Sequence, residues 1–176
     1  MRKPADDGDT VAEAVAHAHR LYLDEGHPYG CAETCFIVLK TAFGLDESMD
    51  PSPAIALNGG VAWSGAICGS LTGAALAVGL LAERRLTGHD RAKLVAREIV
   101  AAALERFRDV HGAVDCRELI GFDLRAPGEH DAFLESGVWR TRCMGQIETV
   151  VAALASYADQ ETWDRTVEAI EADTGR

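Results

Sequence analysis

Five cysteines, Cys31, Cys35, Cys68, Cys116 and Cys143, are the side chains of this chain best suited to chemistry. Cys31 and Cys35 stand one helical turn apart in the stretch GHPYGCAETCF, directly after Gly26, Pro28 and Gly30, residues that interrupt a helix. Side chains four apart on a helix are neighbours, yet a regular helix holds their sulfurs too far apart for an unstrained disulfide. Such a pair could share a metal ion, a cluster or an exchange partner. The thiolate is the species that attacks disulfides and ligates metals, and the N-terminus of a helix favours it through unpaired N–H groups and the positive end of the dipole. Cys31 follows Tyr29 and Gly30 into the first turn of its helix, with His27 four residues before it, so it is the expected ligand or attacking thiol. Cys35 lies a turn deeper beside Phe36 and Val38, where it would serve as a spare ligand or resolving thiol.

The other cysteines fall at comparable places. Cys116 follows Asp115, a helix cap whose partner in a capping-box variant is Glu118. Cys143 falls within the first two turns of a helix starting near Trp139, and Cys68 sits early in a glycine-rich helix. Each cysteine also lies on an apolar line, such as Cys68, Leu71, Ala75 and Val78, or Cys143, Ile147, Val150 and Leu154. Those lines face the core, so Cys31, Cys68, Cys116 and Cys143 could converge on one half-buried pocket. Three uses of such sulfurs are open: thiolates holding an iron–sulfur cluster or other soft metal for electron transfer, a metal-free dithiol and disulfide couple, or inert apolar filling. His111, five residues before Cys116, could assist any thiolate nearby.

The elements that must position them are helices. Apolar periodicity predicts helices over 10–25, 31–43, 61–82, 90–111, 116–121, 139–157 and 161–172. Residues 45–60, with two prolines and a Gly-Gly pair, read as a connection, and 123–138 as loop with one turn at HDAFLES. No segment alternates apolar and polar long enough for a strand, so the class is all-α. A single domain over 1–176 is expected, a compact bundle of five to seven helices with a core over 10–158. An acidic helix within 159–176 would dock loosely.

Residues 61–82 carry no charge and match a membrane span in length. Four glycines with Ser64, Ser70 and Thr72 dilute the hydrophobicity, so the segment reads as a buried helix of a soluble protein. Gly65, Gly69 and Gly73, spaced by four, would form a groove without side chains, at about 1 kcal/mol per glycine relative to alanine. A partner helix, a second subunit or a cofactor would approach there.

A net charge of −11 repels nucleic acid and anionic membrane alike. No apolar segment follows the first basic residues, so a cytoplasmic location is expected, where thiols stay reduced and five cysteines argue against a disulfide framework. No nucleotide-binding fingerprint is present.

The order of blocks YGCAETCFIVLKTAFGL, NGGVAWSGAICGSLTGAALAVGLL, VDCRELIGFDL and TRCMGQIETVV resembles the C_GCAxxG_C_C family of redox-active proteins, over about residues 28–155. It is also similar to part of the split-Soret cytochromes, without a C-x-x-C-H site for covalent haem. The resemblance implies a redox function and matches Cys31, Cys68, Cys116 and Cys143 to the family's four cysteines. Ser70 stands where a small alanine is usual, and Cys35 is an addition to the pattern. An unidentified redox partner and a homodimer through an apolar helix face complete the expectation.

Overall fold

The computed structural model describes residues 7–26 and 28–174. His27 therefore lies outside the described residues. Among the described residues eight α-helices follow one another: α1 (Asp7–Tyr22), α2 (Cys31–Ala42), α3 (Gly69–Arg85), α4 (His89–His111), α5 (Cys116–Ile120), α6 (Glu129–Ser136), α7 (Met144–Leu154) and α8 (Gln160–Thr174). Short 3₁₀ turns at Ser52–Leu57 and Ala155–Ala158 and a wide π-type turn at Trp139–Cys143 complete them. Among the described residues the only strand-like feature is an isolated antiparallel bridge between Ile67 and Asp115. The fold is all-α, and no described helix is long and apolar enough to cross a membrane.

The core is built round α2 and α3, which pack along each other, with α1, α4 and α7 closing the sides. Phe36, Ile37, Leu39, Leu81, Phe107 and Ile147 are fully buried there. The close approach of α2 to α3 follows from two glycines. A Cβ on Gly73 would lie 2.1 Å from the Ala32 carbonyl oxygen, and one on Gly69 would lie 2.5 Å from the Cys31 sulfur. Only bare backbone admits α2 at that distance, so the groove is occupied by a helix of the same chain. The start of α2 is thereby set beside the start of α3.

Gly65 is not on that line. The helix expected over 61–82 begins only at Gly69, because Gly59, Gly60, Val61, Ala62 and Trp63 all take positive φ, between 51° and 71°. A left-handed turn of this kind costs about 1–2 kcal/mol for each residue with a side chain, more for β-branched Val61. Local clasps hold it. Trp63 N–H donates to the Asn58 carbonyl at 3.2 Å, Gly65 N–H to Gly59 at 3.1 Å, and the Arg125 guanidinium donates twice to the Ala62 carbonyl, at 3.0 and 2.8 Å. A helical apolar pattern read the stretch as helix; contacts from residue 125, far along the chain, decide otherwise.

Two further expectations change. Residues 129–136 form a full helix, α6, rather than one turn, bounded by the left-handed glycines Gly128 and Gly137. The C-terminal helix is firmly seated: Trp163 and Val167 of α8 are buried, and Arg85 donates to the carbonyls of Tyr157 and Ala158 at 2.7 and 2.9 Å beneath it. The acidic composition hid an apolar face of two residues.

Candidate functional site

The N-terminus of α2 is organised by two side chains. Glu33 accepts from the Gly30 N–H at 2.8 Å and from Asn58 Nδ2 at 2.8 Å, while Asn58 Oδ1 accepts from the Ala32 N–H at 2.9 Å. Asn58 ends the 3₁₀ turn, and its amide is locked by donors and acceptors on both ends. The Cys31 sulfur faces that fixed amide oxygen at 3.9 Å. A thiol can donate there, whereas a thiolate would meet the negative end of a dipole. The residue at 30 must be glycine, since a Cβ would lie 2.3 Å from Asn58 Oδ1.

Cys68 occupies the N-cap of α3 instead of a position inside the helix. Its N–H donates to the Val114 carbonyl at 2.8 Å and the Cys116 N–H to the Ala66 carbonyl at 2.7 Å, so the chain before α5 is tied to the chain before α3. The Cys68 sulfur lies 3.2 Å from Ser70 Oγ and 3.5 Å from Gln146 Oε1. A hydrogen bond from the Cys31 thiol lowers the Cys68 pKa to about 7, helped by Ser70 and by the backbone N–H groups of Ser70 and Leu71, against the opposing effect of burial. The same bond raises the Cys31 pKa, and burial and the charge of Cys68 raise it further. The sequence ranks Cys31 above Cys35 and does not rank Cys31 against Cys68; these hydrogen bonds favour the thiolate on Cys68. Both sulfurs face an amide oxygen, Asn58 for Cys31 and Gln146 for Cys68, but Cys68 alone also receives hydrogen bonds from Cys31, Ser70 and Leu71.

The remaining two sulfurs face this pair. Cys143 ends the π-type turn, and the Tyr22 hydroxyl of α1 donates to it, with the Tyr22 ring packed edge-on to Trp139 at 5.9 Å. Burial, with the charge of Cys68, pushes the thiols of Cys116 and Cys143 each up to about 12. Asp115 makes no side-chain cap to α5, contrary to the capping box read from the sequence; the start of α5 is held by the bridge to Ile67 instead.

Cys31, Cys116 and Cys143 line a cavity of about 310 Å³, walled by Tyr22, Trp63 and Phe133 among others. Cys68 is buried next to Cys31. Cys35 is fully buried, does not line the cavity, and its thiol is raised chiefly by burial. Among the described residues no three His, Cys, Asp or Glu side chains gather on one point to hold a single metal ion. All five cysteines are free thiols. His111 bonds Thr149 Oγ1 at 2.9 Å, and burial lowers its pKa. Gly65 lies beside Arg117, whose Cβ a methyl group at position 65 would approach to 2.8 Å.

Sequence reasoning missed Tyr22, Asn58, Ser70 and Gln146 as partners of the sulfurs. Ser70 and Gln146 are buried polar residues, a property that only the fold reveals.

Over residues 29–157 the chain matches the family model described as "Putative redox-active protein (C_GCAxxG_C_C)". No curated protein and no solved structure matches it.

Proposed function

The chain belongs to the C_GCAxxG_C_C family, and from that premise we propose that Cys31, Cys68, Cys116 and Cys143 hold an iron–sulfur cluster that transfers electrons. The observation that carries the reading is the cavity of about 310 Å³ with three of these sulfurs on its wall and the fourth hydrogen-bonded to one of them. The donor set is all thiol, the preference of iron–sulfur centres and other soft metals. Three sulfurs spaced round one wall, with Cys68 beside Cys31, would suit a cluster with a thiolate on each corner better than a lone ion. When bound, such a cluster takes up and returns single electrons.

The chain's own residues prepare the space. The starts of α2, α3 and α5 bring positive dipole ends to it, favouring a centre of net negative charge. With the space empty, the charge of one thiolate and the apolar walls oppose ionisation of the others. Cys31, Cys116 and Cys143 would therefore give up their protons only on loading with cationic iron, and loading would release protons. Tyr22 and Ser70 supply hydrogen bonds to sulfur, and such bonds tune a potential.

The hydrogen-bonded pair of Cys31 and Cys68 favours a second reading. There the Cys68 thiolate attacks the disulfide of a partner and expels one partner thiolate, forming a mixed disulfide. Cys31 then gives up its proton and displaces the second partner sulfur. The partner is reduced to a dithiol and the pair oxidised to a disulfide.

Anaerobic purification with iron and acid-labile sulfide analysis tests both. The expected result is iron and sulfide in near-equal amounts, an electron paramagnetic resonance signal on reduction, and loss of both elements in Cys68→Ala and Cys116→Ala. Protein that stays iron-free after incubation with iron and sulfide, but forms a reversible Cys31–Cys68 disulfide, selects the second reading. Failure of both assays removes both.

A further inference from the structure

We infer that the left-handed turn 59–63 is a gate on the cysteine cavity, strained when closed and latched by the segment 125–130. The inference concerns access to the sulfurs, so it holds whether the cavity takes a cluster or works as a dithiol.

Two residues of the turn, Gly59 and Trp63, line the cavity together with Cys31, Cys116 and Cys143. The turn is therefore part of the wall, and Trp63 is 45% exposed. Val61, Ala62 and Trp63 all hold positive φ, a backbone that side chains resist and that persists only where surroundings impose it. Within the turn, backbone bonds run from Val61 N–H to Leu57, from Ala62 N–H to Ala56, from Trp63 N–H to Asn58 and from Gly65 N–H to Gly59; the restraints that reach it from elsewhere in the chain are few. Arg125 donates from Nε and Nη2 to the Ala62 carbonyl, and the His130 ring stacks on Trp63 at 4.5 Å with 21° between the planes. Arg117 adds a longer bond to the Ser64 carbonyl at 3.4 Å. Both main latches come from one stretch of chain, between α5 and the start of α6, and both hold side chains or carbonyls that water could satisfy once released.

Close packing resists collapse of the turn. A Cβ on Gly59 would lie 2.5 Å from the Trp63 ring and 3.1 Å from Leu124, and one on Gly60 would lie 2.3 Å from the Ala66 carbonyl. The turn is packed tightly on itself, on Ala66 and on Leu124, while Arg125 and His130 reach it from the segment that latches it. Strain stored in the backbone then favours opening, and the latches oppose it. A gate of this kind explains how half-buried and buried sulfurs beneath an apolar wall are reached by iron, sulfide or a partner thiol without unfolding the bundle.

The test uses the full-length, reduced protein freed of metal by a chelator, so it does not depend on what the cavity binds. Iodoacetamide labelling is followed residue by residue by mass spectrometry. Cys35 is the internal control, since it is fully buried and outside the cavity: unfolding exposes it together with the rest, whereas gate opening does not. Arg125→Ala should raise the labelling rates of Cys31, Cys116 and Cys143 about tenfold, the size expected for losing charge-assisted bonds, while Cys35 stays unlabelled. Trp63→Ala should act in the same direction. Val61→Gly should slow labelling severalfold, because glycine removes the side chain that strains the closed turn. Cavity labelling unchanged in Arg125→Ala, or Cys35 labelled in step with the cavity thiols, overturns the gate. Faster labelling in Val61→Gly overturns the role of strain in opening it.

Discussion

The five thiols of this chain are chemically unequal because of what each sulfur faces, not because of where it falls in its helix. Cys31 and Cys68 both stand at helix starts, and the dipole argument ranks them together. The hydrogen bonds that Cys68 receives from Cys31, Ser70 and Leu71 separate them. In the reduced, metal-free protein one thiolate should therefore appear with a midpoint near 7, with Cys116 and Cys143 ionising only near 12. Ultraviolet thiolate absorbance across a pH titration reads this directly. Cys68→Ala should abolish the low step, whereas Cys35→Ala should leave it in place. A low step that survives in Cys68→Ala and vanishes in Cys31→Ala would reverse the assignment.

At the scale of elements, glycines on α3 have opposite meanings according to what they face. Gly73 admits the Ala32 carbonyl, and Gly79 has nothing within 4 Å of a would-be side chain. Gly73→Leu should destabilise the domain by about 3 kcal/mol through overpacking against backbone that cannot yield. Gly79→Ala should instead stabilise it by about 1 kcal/mol, since a helix gains on replacing glycine where space is open. Urea unfolding midpoints measure both. Gly69→Ala is a third case, because its methyl group meets the Cys31 sulfur. It should disturb the Cys31–Cys68 pair and raise the low thiol midpoint more than it lowers stability. The helices α2 and α3 thus act as one element, with their starts set side by side by two missing side chains.

For the molecule as a whole, the shifted thiols set a pH window for stability. Cys68 has a folded pKa below the ordinary thiol value, so its contribution is present above that value and lost as pH falls through about 7. Cys116 and Cys143 have raised values, so their contributions are present below the ordinary value and lost as pH rises toward about 12. Tyr22, raised first by burial, has the same sign as they do. The metal-free protein should be most stable near the ordinary thiol value of about 8.5. Above it, stability should fall by up to about 1.4 kcal/mol per pH unit for each raised thiol. Urea unfolding at several pH values checks this, and Cys116→Ala should flatten the alkaline slope. Stability that climbs steadily to pH 10 would contradict it.

The all-α class, the cysteine positions and the order of the blocks were legible in the sequence because they depend on local periodicity, on glycine and proline, and on residue identity. Helix starts near Cys31, Cys116 and Trp139 follow from neighbours a few residues away. The tertiary structure decided what depends on distant residues meeting. Residues 61–63 turn left-handed where Arg125 and His130 meet them and backbone bonds to residues 56–58 close the turn, against the helical reading of their own apolar pattern. The glycine line holds α2 because the chain folds α2 onto it, and its first member, Gly65, leaves the line where the left-handed turn ends. The identity of the most acidic thiol was decided in the same way. The hydrogen bond from Cys31 fixes it first, with help from Ser70 and Leu71, and a bond between Cys31 and Cys68 exists only once the fold has set the starts of α2 and α3 side by side.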